Sequence, residues 1–164
     1  MTEQKKYEKI EDAIVELLDG ETRKNALEFA AYLNENQLTP NMSAWGYIAF
    51  NGCNLGWMRI EGKDNWLFEI FNFLDFGDFT DEDEEFAKAV HDHVKICGAP
   101  CHDECWRAKD AKIFGKEFKS VCSQHSRAFA NPDGKTIGHI KKLIEYAKKT
   151  KPYVQQYHPN NLQK

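Results

Sequence analysis

Trp45-Gly-Tyr-Ile-Ala-Phe50, Gly56-Trp-Met-Arg-Ile-Glu61 and Trp66-Leu-Phe-Glu-Ile-Phe71 are three short aromatic-rich runs, parted by Asn51-Gly-Cys-Asn54 and Gly62-Lys-Asp-Asn65. Each separator is brief and built from turn residues, so the runs predict an antiparallel meander of three or more strands. Side chains alternate along a strand, which places Trp57 on one face with Arg59 and Glu61 and turns Met58 and Ile60 the other way. One face is therefore core, and the other mixes aromatic rings with charge. Cys53 is expected in the first turn.

On the N-terminal side the apolar period lengthens to that of a helix. Ile10, Ala13, Ile14, Leu17 and Leu18 form one stripe, and Gly20 is expected to end that helix. Thr22 is the expected N-cap of a second helix carrying Ala26, Leu27, Phe29, Ala30 and Leu33, which must stop before Leu38-Thr-Pro40 because proline disfavours helical geometry in the residue before it.

After the meander, Asn72-Phe-Leu-Asp-Phe-Gly-Asp-Phe-Thr80 holds too many aromatics for a free linker and should be pinned to the core. Thr80 with Asp81-Glu-Asp-Glu-Glu85 reads as a capped, acidic first turn. Phe86, Val90 and Val94 are its buried stripe, and Gly98 and Pro100 close the helix just after Cys97. Residues 108–130 show no clean period. Beyond Asn131-Pro-Asp-Gly134, the residues Ile137, Ile140, Leu143, Ile144 and Ala147 mark an amphipathic helix whose Lys148, Lys149 and Lys151 suit its negative end. The class is α+β: N-terminal helices, a meander, a cysteine-rich insert at 97–122 and a C-terminal helix.

At 164 residues, with 41% apolar and 13% aromatic content, the chain is expected to form a single domain over 1–164, with its core in 5–150 and a polar tail at 152–164. Neither an apolar run after the first lysines nor a span of about 20 apolar residues is present, so no membrane association is expected and the localisation read from the sequence is cytoplasmic. An odd count of five cysteines then favours thiols or thiolate ligands over disulfides.

The net charge of −4 is unevenly spread: residues 1–85 carry seven basic against nineteen acidic groups, and residues 86–164 carry fifteen against seven. The basic half is a candidate surface for an anionic ligand or an acidic partner, although mutual attraction of the two halves accounts for it more simply. Nucleic acid is not an expected partner.

Four cysteines, Cys97, Cys101, Cys105 and Cys122, are spaced C-x3-C-x3-C-x16-C, and His102 and His125 stand nearby as substitutes. Soft ligands in a close group plus a distant one suit tetrahedral zinc, and four protein ligands leave no open position, so the expected role is a structural fastener. A thiol redox pair lacks a C-x-x-C at a helix start, and an iron–sulfur cluster needs a low-polarity pocket around four thiolates. His91 and His93, two apart on the preceding helix, fall on different faces, and His93 is expected to share a face with Cys97. No catalytic signature accompanies the cysteines. The leading expectation is a non-catalytic accessory or binding domain holding zinc. The first rival is a small-molecule or enzymatic pocket on the aromatic sheet face, lined by Trp45, Trp57, Arg59 and Trp66; the second is an iron chaperone using the acidic edge from Asp75 to Glu85.

The order of parts, with Phe114-Gly-Lys-Glu-Phe118 leading into Ile140-Lys-Lys-Leu-Ile-Glu-Tyr-Ala147, resembles by layout, over roughly residues 5–150, the small bacterial α+β domains grouped as frataxin-like iron-chaperone or unknown-function proteins. The resemblance implies a cytoplasmic accessory or binding role and iron handling. It carries over no individual residue.

Overall fold

The structure is a computed structural model that describes residues 7–42, 46–51, 53–71, 76, 79–80, 83–98, 108–122 and 126–149. Two helices open it, α1 (Ile10–Leu17) and α2 (Gly20–Glu35). The expected boundary between them shifts: Asp19, not Thr22, is the N-cap, its carboxylate accepting from the Gly20 N–H at 2.8 Å. Gly20 adopts φ +51°, so it turns the chain into α2 as well as out of α1. At the far end of α2, Gln37 lies at φ +59°, Leu38 N–H donates to the Leu33 carbonyl and Gln37 N–H to that of Asn34. These paired bonds form a Schellman cap and end the helix where Pro40 required it to stop.

The meander forms as expected, in strands β1 (Tyr47–Phe50), β2 (Cys53–Ile60) and β3 (Trp66–Ile70). Phe50 pairs with Cys53, so the first loop is only residues 51–52, Asn51 sits at φ +50°, and Cys53 belongs to β2 instead of the turn. A short fourth strand, β6 (Phe129–Ala130), extends the sheet beyond β3. The order is β1-β2-β3-β6, antiparallel throughout. Asn131 fastens that edge: its side-chain oxygen accepts from Trp66 N–H and its backbone N–H donates to the Trp66 carbonyl, both at 2.9 Å.

Ile48, Met58, Ile60, Trp66, Phe68 and Ile70 turn one face of the sheet inward, all buried. Phe29 of α2 packs on them, its ring 5.1 Å from that of Phe68 and 5.7 Å from that of Trp66. Burying such side chains contributes about 1.5–3 kcal/mol each.

The remaining elements are α3 (Glu84–Asp92), the hairpin β4 (Ala108–Ile113) and β5 (Lys116–Cys122), and α4 (Gly134–Lys149). The cap of α3 is Asp83, whose carboxylate accepts from Phe86 N–H at 3.0 Å, and not Thr80. The helix also ends at Asp92, five residues before Cys97, and the chain continues extended: Ile96 bridges Val121 beside β5. Val94 is buried, but from this extended segment. Phe76 and Phe79 of the aromatic connector do pack into the core. The stretch without a clean period resolves into the hairpin, whose turn, Phe114-Gly115, has φ +42° and +83°. Phe114 is buried there against Phe76, Phe86 and Tyr146. This docking joins the two-stranded sheet to α3 and α4. The C-terminal helix stands as expected, with Ile137, Ile140, Leu143, Ile144 and Ala147 buried and its N-terminus capped by Asp133, which accepts from Thr136 N–H at 2.8 Å.

Candidate functional site

Among the described residues, no group of three or more His, Cys, Asp or Glu side chains is placed to hold a metal ion. Cys97 and Cys122 are the described members of the expected set; Cys101, Cys105, His102 and His125 lie outside the described residues. Cys97 N–H donates to the Ser120 carbonyl at 2.7 Å and Cys122 N–H to the Lys95 carbonyl at 2.8 Å, so the two flank the Ile96–Val121 pair on diagonal positions of an antiparallel ladder. Two thiols held that way do not make a four-ligand centre. The expectation of structural zinc is overturned, and iron as a cofactor with it.

His91 of α3 and His93, the residue that caps its C-terminus, are already engaged. His91 Nε2 lies 2.8 Å from the Ile113 carbonyl, and His93 Nδ1 lies 2.8 Å from that of Ala89 while its ring stacks 3.7 Å from Phe129. Since α3 stops at Asp92, helical spacing no longer relates His93 to Cys97. Two described residues of the acidic edge are engaged: Asp83 caps α3 and pairs with Lys142, and Glu85 pairs with Lys135. Asp75, Asp78, Asp81 and Glu82 lie outside the described residues.

Part of the charge asymmetry is met by ion pairs between the two halves. Lys135, Lys141 and Lys142 of the basic half pair with Glu85, Glu28 and Asp83 of the acidic half. The Lys141 ammonium holds the Glu28 carboxyl below its ordinary range, by hydrogen bond and by charge. Such exposed pairs contribute little stability each.

The outer face of the four-stranded sheet concentrates the remaining chemistry. Tyr47 pairs with Trp57 and Trp57 pairs with Glu69, so these three stand in one cross-strand row over β1, β2 and β3. Phe71, just past β3, completes a ring cluster: centroids are 5.4 Å from Tyr47 to Trp57, 5.5 Å from Trp57 to Phe71 and 6.0 Å from Tyr47 to Phe71. Glu69 is only 7% exposed, and its Oε2 accepts from Trp57 Nε1 at 2.7 Å. A carboxylate taken from water is costly unless it is hydrogen-bonded, and the indole supplies a bond of that kind. On the other side of Trp57 the Arg59 guanidinium carbon lies 4.3 Å from the ring centroid, and its Nη2 is 3.2 Å from Glu61. Arg59 Nε is buried and has no hydrogen-bond partner among the described residues.

Of the residues expected on this face, Trp57 and Arg59 are brought together. Trp66 is not. It pairs with Ile60, which places it on the opposite face, fully buried in the core. Trp45 lies outside the described residues. Tyr47, Glu69 and Phe71 join instead, and Glu69 had a visible signal: one carboxylate inside the apolar run Trp66-Leu-Phe-Glu-Ile-Phe71. The helix that packs on the sheet through Phe29 does so on the Phe68 face, not on this one. Among the described residues no helix is long and apolar enough to cross a membrane. Comparison with protein-family models, with curated proteins and with solved structures finds no match to this chain.

Proposed function

We propose that the outer sheet face built on Tyr47, Trp57, Arg59 and Glu69 binds a small planar ligand. The observation that carries this reading is the cross-strand row: two half-buried aromatic rings with a buried carboxylate fixed beside them. Stacking surfaces with a small number of polar groups at set positions are the ordinary composition of a small-molecule site. A surface whose role is only to be covered by neighbouring chain gains nothing from a carboxylate that must be desolvated. The accessory or binding role implied by the layout resemblance agrees with this reading; its iron-handling part is set aside with the metal centre. Residues 1–164 are read as one domain with its core in 5–150, a reading supported by buried side chains from α1 through α4 that belong to one apolar cluster, and the cytoplasm remains its proposed location.

The test is a thermal-shift and saturation-transfer NMR screen of planar metabolites and fragments against the protein and its Trp57→Ala variant. Binding that the variant loses while its circular dichroism stays native supports the reading. Absence of any planar binder contradicts it.

A further inference from the structure

Independently of the Trp57 face, we propose that the outer edge of β4 takes an extended acidic peptide segment as an added strand. The hairpin pairs Ile113 with Lys116, Lys112 with Glu117 and Ala111 with Phe118, and resumes past the bulge with Lys109 opposite Val121 and Ala108 opposite Cys122. Along an antiparallel strand, successive residues aim their backbone groups alternately at the partner strand and away from it. The two-residue turn at Phe114-Gly115 makes Ile113 and Lys116 a bonded pair, so Ala111 and Lys109 also face β5. Ala108, Asp110 and Lys112 then send their N–H and C=O groups outward. Cys122 agrees with this phase, because its N–H turns away from β4 to the Lys95 carbonyl. Among the described residues no strand lies on the outer side of β4 and nothing bonds those outward groups, whereas the far side of β5 is met by Ile96. An open edge of this kind is what an extended peptide joins by main-chain hydrogen bonds.

Charge along the edge selects the occupant. The Asp110 carboxylate is already met from within, 2.6 Å from Lys119 Nζ and accepting from Ser120 N–H at 3.1 Å. Lys109 and Lys112 are exposed and make no ion pair among the described residues; Glu117, across from Lys112, does not pair with it. Side chains two apart share a face, so Lys112 stands with Asp110, and Lys109 stands with Ala111 on the side where Ala111 and Phe118 pack against the core. A strand laid antiparallel on β4 meets Lys112, Ala111, Asp110 and Lys109 in turn. Its matching residues are acidic, apolar, unrestricted and acidic, each carboxylate facing an ammonium and the apolar side chain covering Ala111. A second copy of this edge lacks that pattern, since the one carboxylate of β4 is held by Lys119. Edge lysines deter neutral and basic strands; the same two charges attract an acidic one.

NMR titration of the 15N-labelled full chain with two peptides, acetyl-TEVSET-amide and acetyl-TKVSKT-amide, tests the inference. The acidic peptide is expected to bind roughly tenfold more tightly than the basic one. Its binding is expected to slow solvent exchange of the Ala108, Asp110 and Lys112 amides and to leave those of Lys109 and Ala111 as they were, an alternation that diffuse charge attraction does not produce. Lys112→Pro removes an outward donor and no bond to β5, so it is expected to abolish binding while circular dichroism stays native. Lys112→Glu, which keeps the backbone donor, is expected to weaken the acidic peptide and strengthen the basic one. Equal affinity for the two peptides, exchange that slows without alternation, or no binding of the acidic peptide at millimolar concentration overturns the proposal. A dimer in sedimentation equilibrium that Lys112→Pro dissolves also overturns it, by giving the edge to a second copy.

Discussion

The indole N–H of Trp57 donates to the Glu69 carboxylate at 2.7 Å across the β2–β3 pair, tying a half-buried ring to a carboxylate that is 7% exposed. Removing the donor alone leaves the buried acceptor short of a bond. Trp57→Phe is therefore expected to cost about 1–3 kcal/mol in denaturant unfolding. The double variant Trp57→Phe with Glu69→Leu should cost less than the two single changes together, by at least ~0.5 kcal/mol. Additive losses would show that the bond does not couple the pair.

Gly56, one residue before Trp57, stands in the next row and pairs with Ile70. A Cβ added there would overlap the Glu69 carbonyl oxygen and lie 3.1 Å from both the Glu69 carbonyl carbon and Ile70 Cα. These are backbone atoms of the paired strand, so no side-chain rotation relieves the contact. Gly56→Ala is expected to destabilise by about 1–3 kcal/mol or more and to lower Tm. An unchanged Tm would mean that the β2–β3 spacing adjusts more easily than this geometry allows.

Asp133 caps α4 and accepts from Thr136 N–H, and that backbone bond holds its carboxyl below the ordinary range. A folded value lower than the unfolded one means that the stabilisation is complete above about pH 4 and disappears as pH falls through the folded value. Asp133→Ala should thus cost about 1 kcal/mol at neutral pH, and the gap between variant and parent should close in acid. A gap independent of pH would assign the loss to something other than the ionised cap.

Ser120 adopts φ +53° in the middle of β5, where the pairing slips between Lys109 and Ala111 and the Asp110 carboxylate accepts from Ser120 N–H at 3.1 Å. A non-glycine residue in the left-handed region costs roughly 1–2 kcal/mol. Ser120→Gly relieves that cost but frees the unfolded chain, so a small net rise in stability is expected from urea melts. A loss would reveal a contribution from the serine hydroxyl.

The absence of a metal-holding group among the described residues carries its own expectation. A domain fastened by a structural metal unfolds when chelated. Here Tm is expected to be the same with and without excess chelator under reducing conditions. A clear fall on chelation would restore the cysteines as ligands.

The sequence made the helices and the meander legible because their apolar periods are long enough to distinguish. It misled where one residue decides. A four-residue separator from Gly62 to Asn65 sets Glu61 opposite Trp66 and puts Trp66 on the face of Trp57. In the structure Glu61 N–H instead bonds the Asn65 carbonyl and Ile60 faces Trp66, a slip of one residue that sends Trp66 into the core and leaves Glu69 beside Trp57. The hairpin was hidden for a different reason. Its turn uses Phe114 in the left-handed region, a conformation seldom associated with phenylalanine, held there by Phe76, Phe86 and Tyr146. Cysteine spacing, finally, names ligand types but not backbone direction. The chain leaves α3 at Asp92 and runs extended past Ser120, which separates Cys97 from the helical geometry its spacing suggested.

The central claim is that the Trp57 face binds a planar ligand, and the Trp57 indole N–H is its most direct reporter. In 15N-labelled protein, with the resonance assigned by Trp57→Phe, titration with a planar compound from the thermal-shift screen is expected to shift this indole cross-peak progressively and to saturation, with the buried Trp66 indole peak unmoved. A Trp57 peak that stays in place with every planar compound of that screen would contradict the account.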